Sequence, residues 1–368
     1  MKHKKIIISG GGTGGHLFPA IAVAQALKRL DNRTEILFVG AKGKIEEKKV
    51  PEAGFDIELL NIRGFGRKLS FENIKNIARL IGSLFKANRI LRKFKPDVVA
   101  GFGGYASGPL AFIAALKGIP VLIQEQNSYP GITNRILAKK ASKICTAYNE
   151  VKKYFPEDKI ILTGNPVRKK IIDTDAEKNE VLSFFNLEPD KKVILSLGGS
   201  GGAKSINDGI KSELKKIAES DVFLIWQTGK NYFSESLEEV KKTGAENIKV
   251  YDFISRMDLA YKAADLVISR AGAGTVSELA ILEKPVILVP SPNVAEDHQT
   301  KNARALVEKN AAILINDNQT KDKLVNTALN LVNNPQQLKI LSENIAKTKM
   351  PDADKRIAEE ILDLIKNK

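Results

Sequence analysis

Short runs of β-branched and other apolar residues recur along the chain. Each is followed by a polar or glycine-rich turn and then by a stretch with helical spacing. Lys5–Ser9, Glu35–Val39, Asp97–Gly101, Pro120–Gln124 and Lys143–Thr146 read as strands, with helices such as Pro19–Leu30 and Gly108–Lys117 between them. Continuous apolar strands that alternate with helices predict a parallel sheet covered on both faces. The rhythm pauses at Thr163-Gly164-Asn165-Pro166-Val167-Arg168, where Gly, Asn and Pro together mark a turn. A second alternation follows, with strands at Val193–Leu197, Val222–Trp226, Ile248–Tyr251, Leu266–Ser269, Val286–Pro290 and Ala312–Ile315. The pattern predicts an α/β protein of two Rossmann-like domains, 1–164 and 165–351, whose parallel sheets face each other across a cleft. Ligands of such sheets bind beyond the carboxyl ends of the strands.

Charge refines this division. Of 58 Lys+Arg and 43 Asp+Glu, residues 1–165 hold 28 and 13, whereas residues 166–368 hold 30 and 30. The entire excess of +15 therefore belongs to the first half. Such asymmetry points to an anionic partner, whether nucleic acid, anionic lipid or a phosphorylated substrate. The single cysteine, Cys145, excludes an internal disulfide and suits a reducing compartment. The apolar run Ile6–Ile8 is far too short for a signal peptide. No stretch approaches the roughly 18–20 apolar residues of a membrane span. These features predict a soluble, cytosolic protein.

Glycine carries the candidate chemistry. Gly10-Gly11-Gly12-Thr13-Gly14-Gly15-His16, Gly101 to Gly108 and Gly198-Gly199-Ser200-Gly201-Gly202 each follow a strand and precede a helix. A weaker fourth loop, Arg270-Ala271-Gly272-Ala273-Gly274-Thr275, opens the helix at Val276. Glycine lets backbone N–H groups approach a ligand, and a helix N-terminus adds partial positive charge, so the combination binds phosphate. The plainer reading, ordinary tight turns, suffices for one such loop but poorly for four. The first loop matches GxGxxG through Gly10, Gly12 and Gly15, which is weak evidence for a dinucleotide. A dehydrogenase needs an acid at the end of its second strand, and here that strand ends Val39-Gly40-Ala41-Lys42. A NAD-dependent oxidoreductase is therefore the runner-up, and the absence of GxxxxGK[ST] disfavours P-loop chemistry.

The segments GGTGGHLFPA (11–20), GGYASGP (103–109), EQN (125–127), GNPVR (164–168), GGSGGAKSIN (199–208) and SRAGAGTVSE (269–278) together resemble the MurG family. These are the peptidoglycan N-acetylglucosaminyltransferases. The resemblance runs in order from Ile6 to about Ala305. It implies the GT-B fold, with the active site in the cleft and a final helix at about 352–368 packed back on the first domain. It implies inverting transfer of GlcNAc from UDP-GlcNAc to the muramyl 4-hydroxyl of undecaprenyl-pyrophosphoryl-MurNAc-pentapeptide. Related GT-B glycolipid synthases and nucleotide-sugar epimerases are the near alternatives. The implied location is the cytoplasmic side of the cell membrane, as a peripheral protein. Cell-wall synthesis and division proteins stay open as further partners.

By this resemblance the donor lies mainly on the second domain. Glu278 would accept the ribose hydroxyls, Ser200 and the amides near Ala273, Gly274, Thr275, Val276 and Ser277 would hold the diphosphate, and Ile254 would read uracil through its main chain. Arg168 offers a planar fork to a phosphate or uracil oxygen, and Gln299 matches the reader of the sugar hydroxyls. Plainer roles compete: a helix-dipole acid for Glu278 and a hinge ion pair for Arg168. The acceptor lies on the first domain, its pyrophosphate at Thr13, Gly14 and Gly15 and at Gly103, Gly104, Tyr105 and Ser107. An inverting displacement needs a base for the attacking hydroxyl, and histidine has a suitable pKa. His16 is that candidate, with Glu125 as the alternative and Asn127 as a binder of substrate hydroxyls. No metal or other cofactor is obligatory on this reading. Asp173-Thr174-Asp175 and Asp352-Ala353-Asp354 spell DxD, but both precede helices and read as N-caps.

From Arg63 to Lys95 the chain has ten Lys+Arg and one acid, Glu72. Within it Ile74, Ile77, Ile81, Leu84 and Phe85 recur at helical spacing. A basic amphipathic helix reads as membrane-surface binding, although this fold also needs helices to cover its sheet. Arg79, Leu84, Phe85, Lys86, Arg89 and Arg92, with the Gly64–Leu69 loop, are the expected contacts with anionic lipid. Nucleic acid fits poorly, since the segment has few aromatics and no binding motif.

Overall fold

The computed structural model describes residues 3–64, 71–172, 174–199 and 201–366. The chain forms two compact units, Met1–Arg168 with Met350–Lys368, and Lys169–Lys349.

The first unit holds β1 (Lys5–Ser9), β2 (Glu35–Ala41), β3 (Asp56–Leu60), β4 (Val98–Gly101), β5 (Val121–Glu125), β6 (Lys143–Thr146) and β7 (Ile160–Leu162). They lie in the order β3-β2-β1-β4-β5-β6-β7, and every pairing is parallel. Side chains alternate across the sheet. Ile6 and Ile8 therefore pack under the helix Gly14–Leu30, while Ile7, Val99 and Ile123 pack under Phe71–Phe94, Ser107–Leu116 and Ile132–Ala138. The final helix, Ala353–Lys366, buries Ile357, Ala358 and Ile361 in the first of these layers. Its ends are pinned by Arg29 to Asp354 at 2.6 Å and by Lys143 to Glu360 and Asp363 at 2.5 and 2.6 Å. Cys145, on β6, is buried, and that burial pushes its thiol up to about 12, so it is no nucleophile.

The chain order reverses between β1 and β4, which pair from Ile6↔Val98 to Ser9↔Gly101. Their helices leave toward opposite faces, so a crevice opens there beyond the strand ends. The second unit repeats the plan. Its strands β8 (Lys192–Leu197), β9 (Val222–Gln227), β10 (Ile248–Tyr251), β11 (Leu266–Ser269), β12 (Val286–Leu288) and β13 (Ile313–Leu314) lie in the order β10-β9-β8-β11-β12-β13. Its switch point falls between β8 and β11.

Several boundaries differ from the sequence reading. The strands β3 and β7 were not anticipated: β3 is a short Asp-Ile-Glu-Leu-Leu edge strand and β7 has three residues, too few for periodicity. The helix Gly14–Leu30 begins five residues before the expected Pro19, because Gly14, Gly15 and Pro19, all poor helix formers, sit in its first turns. Asp175 is not a cap, whereas Asp352 directly precedes the helix Ala353–Lys366 and its carbonyl accepts the Arg356 N–H at 3.0 Å. Glu177 is the N-cap of Lys178–Phe185, while Asp354 lies inside the first turn of its helix and pairs with Arg29. Asp173 lies outside the described residues.

Candidate functional site

In the first unit the loops after β1 and β4 lie side by side and interlock through glycines. A Cβ on Gly104 (φ +82°) would stand 2.3 Å from the Gly11 carbonyl oxygen, and one on Gly103 (φ +87°) 2.7 Å from Cδ2 of His16. Both positions therefore require glycine by conformation and by space. Thr13 is the N-cap of the helix Gly14–Leu30, yet its hydroxyl makes no cap bond and lies 3.2 Å from Nδ1 of His16. With the proton on Nδ1 the imidazole donates to Thr13, and Nε2 becomes the basic nitrogen. Gly14 and Gly15 carry no side chain over the helix terminus, which leaves a place where an anion meets backbone amides. Ser107 donates to the Gly104 carbonyl at 2.9 Å and fixes the second loop, whereas Tyr105 is exposed and its ring covers Gly64. Arg168 belongs to this unit, its guanidinium 5.9 Å from the ring of Phe18 on the first helix.

The EQN and GNP segments form the support beneath these loops. Gln124 donates to Asn165 at 3.0 Å, Asn165 donates to the Gln126 carbonyl at 2.9 Å, and Gln126 donates to Gln124 and, at 2.8 Å, to the Phe102 carbonyl. This buried network ties the root of the second glycine loop to β5 and the chain after β7. Glu125 is buried too. Its Oε1 accepts the backbone and side-chain N–H of Asn127, at 3.0 and 3.2 Å, and its Oε2 accepts Gly131 and Asn134, at 3.1 and 2.9 Å. Desolvation pushes the Glu125 carboxyl above its ordinary value, while these bonds oppose the shift. With four donors on it, Glu125 anchors the 126–134 segment and positions Asn127.

In the second unit the loop after β8 packs on the turn after β9. Gly202 (φ +80°) lies so close that a Cβ would meet the Thr228 carbonyl oxygen at 2.1 Å. Gln227, at the end of β9, donates to the Gly199 carbonyl at 3.3 Å and accepts the Ile254 N–H at 3.0 Å. The Ile254 amide is thus already engaged. Ser200 lies outside the described residues. The helix Ala273–Ile281, capped by Gly272, presents Ala273, Gly274, Thr275 and Ser277 half-exposed, while the Val276 side chain is in the core, leaving only main chain for a ligand. Glu278, one turn further on, is buried and receives the Tyr261 hydroxyl at 3.2 Å. Gln299 accepts the Ser291 N–H at 2.9 Å, and Asn302, farther along the same helix His298–Val307, donates to the Ala271 carbonyl at 3.2 Å.

Both units match known protein domains. Residues 6–146 match the glycosyltransferase family 28 N-terminal domain, and residues 193–357 match the glycosyltransferase family 28 C-terminal domain. The chain belongs to glycosyltransferase family 28. Full-length relatives share about half its residues. The "UDP-N-acetylglucosamine--N-acetylmuramyl-(pentapeptide) pyrophosphoryl-undecaprenol N-acetylglucosamine transferase" of Parabacteroides distasonis is 52% identical, with 100% of both chains covered. The protein of the same name from Flavobacterium psychrophilum is 50% identical over 100% of this chain and 99% of its own. Among solved structures, Acinetobacter baumannii MurG superposes with a TM-score of 0.79 at 29% identity, covering 98% of this chain and 99% of that one. A Listeria monocytogenes structure titled as a UDP-N-acetylglucosamine 2-epimerase shares the fold at 16% identity, with a TM-score of 0.69 over 100% of this chain and 97% of that one.

Two residues of this family 28 chain do work to which the sequence reading gave no role. Arg270 donates to the Val289 and Pro290 carbonyls at 3.1 and 3.2 Å, to Asp317 at 2.5 Å and to Ser205 at 3.1 Å. It ties the helix that follows β8 to the loops after β11, β12 and β13; the sequence placed Arg270 at the start of the fourth glycine loop, within the SRAGAGTVSE segment, but gave it no role. Glu46 is buried under the first glycine loop. Its signal was hidden, because it comes from the helix after β2 rather than from the strand end.

The helix Phe71–Phe94 shows its apolar stripe to solvent. Ile74, Ile77, Ile81 and Phe85 are exposed, Phe85 at 72%, while Leu84 is half-buried and Ala87, Ile90 and Leu91 face the core. Arg89 and Arg92 are exposed at its C-terminal end. Lys86 instead reaches back to the Leu59 carbonyl at 2.8 Å and to Glu58 at 3.2 Å. Arg79 donates to Asn76 at 2.8 Å, and Asn76 donates to the Gly64 carbonyl at 3.0 Å. Of the expected lipid-contacting loop Gly64–Leu69, residues 65–69 lie outside the described residues. Among the described residues no helix is long and apolar enough to cross a membrane, and no cluster of three or more His, Cys, Asp or Glu could hold a metal.

Proposed function

We propose that the chain transfers N-acetylglucosamine from UDP-GlcNAc to the muramyl 4-hydroxyl of undecaprenyl-pyrophosphoryl-MurNAc-pentapeptide, with inversion at the sugar carbon. The observation that carries this reading is the 52% identity over the full length of a relative named for that reaction. The geometry supplies the parts. Donor binding is assigned to the second unit. There the amides at Ala273–Ser277 and of the Gly198–Gly202 loop take the diphosphate, Glu278 takes the ribose hydroxyls, the main chain at Ile254 takes uracil, and Gln299 takes the sugar. Acceptor binding is assigned to the first unit, with the pyrophosphate at the paired glycine loops and Asn127 on its hydroxyls. Arg168 stands beside the first of those loops, and we assign it to a phosphate.

The muramyl oxygen attacks the anomeric carbon and the bond to the UDP oxygen breaks. His16 Nε2 takes the proton of the attacking hydroxyl, in preference to Glu125, whose two oxygens are both occupied by loop donors. Charge on the leaving diphosphate is met by preorganised amides and a helix N-terminus, so this mechanism assigns no obligatory metal. The helix Phe71–Phe94 docks on the anionic cytoplasmic face of the membrane through Ile74, Ile77, Ile81 and Phe85, with Arg89 and Arg92 beside them. Incubation with labelled UDP-GlcNAc and a short-chain lipid acceptor tests the reading; absence of a labelled disaccharide product overturns it.

A further inference from the structure

The carboxylate under the first glycine loop has no part in the chemistry assigned so far. Glu46 opens the helix Glu46–Glu52 after β2 and is 0% exposed. Its two oxygens accept the Gly12 N–H at 3.1 and 3.0 Å, and Oε1 also accepts the Ala41 N–H at 2.9 Å. Two glycines make room for it. A Cβ on Gly11 would stand 2.3 Å from Oε1, and one on Gly40 2.5 Å from Cγ. A buried carboxylate is costly unless its oxygens are bonded, so a site shaped around it constrains whatever donates to it. Here that donor is Gly12 (φ +83°), whose amide turns inward, and the next residue is Thr13, whose hydroxyl meets His16.

We propose that Glu46 is a positioning residue for the transfer reaction. By fixing the Gly12 amide it sets the direction in which Thr13 leaves the loop. It thereby sets the orientation of the His16 imidazole and of the Gly14 and Gly15 amides. Glu46 touches no substrate, since its oxygens face the N–H groups of Gly12 in the loop and of Ala41 at the end of β2. It also keeps the Gly12 amide out of anion binding, so the pyrophosphate is met by the helix terminus beyond it. This inference rests on the transferase reading, and its test has one arm that does not depend on turnover.

Glu46→Gln keeps the shape but sets an amide NH2 against the Gly12 N–H, the one donor that meets both oxygens. Steady-state kinetics with a water-soluble acceptor should show kcat reduced by about 10- to 100-fold, the effect of a small misplacement of a catalytic group. KM for UDP-GlcNAc should stay within about twofold. In the same full-length protein the ¹⁵N signals of the His16 ring, assigned by their loss in His16→Ala, should shift as the Thr13 contact changes, whereas those of His3 and His298 should not. Wild-type kcat with an unshifted His16 signal overturns the proposal. So does a fall in kcat together with a rise in donor KM while His16 is unshifted, which marks a general structural defect. If Glu46→Gln does not fold, Glu46→Asp replaces it; that variant keeps the charge but is one methylene short, and the same kcat loss and His16 shift are expected. Should the wild type transfer no GlcNAc, the transferase reading has failed, and the His16 signal still decides whether Glu46 orients it.

Discussion

Thr13 Oγ1 lies 3.2 Å from His16 Nδ1, so the residue at the helix N-cap orients a ring instead of capping the helix. If His16 is the general base, His16→Ala should lower kcat by about 100- to 10,000-fold and leave affinity for UDP-GlcNAc nearly unchanged. Thr13→Val removes one orienting hydrogen bond, worth about 1 kcal/mol, and should lower kcat by several-fold. Stopped-time assays with isothermal titration of the donor check both. Near-normal turnover of His16→Ala would move the proton to solvent or another group.

Glu278 is held by the Tyr261 hydroxyl at 3.2 Å. Removing a charged hydrogen bond to the ribose costs roughly 1.5–3 kcal/mol, so Glu278→Ala should weaken UDP-GlcNAc binding at least tenfold. Tyr261→Phe, which removes only the orienting contact, should weaken it by a smaller factor. Calorimetric titration measures the two, and an unchanged Kd in folded Glu278→Ala would remove Glu278 from the donor site.

Burial pushes the Glu125 carboxyl above the ordinary value of 4.5. The folded state therefore holds this proton more tightly than the unfolded state. The resulting stability is complete below the unfolded value and is lost as pH rises through the folded one. Glu125→Gln cannot titrate, so the Tm difference, wild type minus variant, should shrink as pH is raised from below 4.5 toward neutrality. Thermal unfolding across that range checks the sign; a difference that grows with pH would show that the four donors outweigh burial.

Ile74, Ile77, Ile81 and Phe85 form an exposed stripe, so the proposed membrane docking divides into an apolar and an electrostatic part. Arg89→Gln with Arg92→Gln should weaken binding to anionic vesicles about tenfold or more, at about 1 kcal/mol per basic group, and added salt should mimic this in the wild type. Ile81→Ser with Phe85→Ser should remove the salt-insensitive remainder. Turnover of a water-soluble acceptor should survive all four changes. Arg79→Gln and Lys86→Gln are less clean, because both side chains also bond Asn76 or β3. Vesicle co-sedimentation over a salt series reads the result, and binding indifferent to salt and lipid charge would exclude this helix as the docking surface.

Much of the fold was legible because its central strands are short apolar runs that alternate with helical stretches, and each chemical turn is rich in glycine. The edge strand β3 escaped notice because its Asp and Glu break the apolar run, and β7 because three residues carry no period. The glycine loops were legible for a related reason: close approach and φ > 0 admit little else at Gly103, Gly104 and Gly202. Residues that act through long-range partners were not legible. Glu46 reaches Gly12 across 34 positions and Arg270 reaches Asp317 across 47, and no local spacing encodes either contact. The apolar face of Phe71–Phe94 was visible as a periodicity, but only the packing of Ala87, Ile90 and Leu91 tells which side meets solvent.

The most direct test of the central claim is transfer itself. The protein is incubated with UDP-GlcNAc labelled in the sugar and a short-chain polyprenyl-pyrophosphoryl-MurNAc-pentapeptide, with and without EDTA, and products are identified by mass and by the anomeric coupling of the new bond. The expected result is a β-linked GlcNAc on the muramyl 4-hydroxyl with stoichiometric UDP, formed at similar rates in both conditions. Release of free sugar, an epimerised nucleotide, or no product with this acceptor would contradict it.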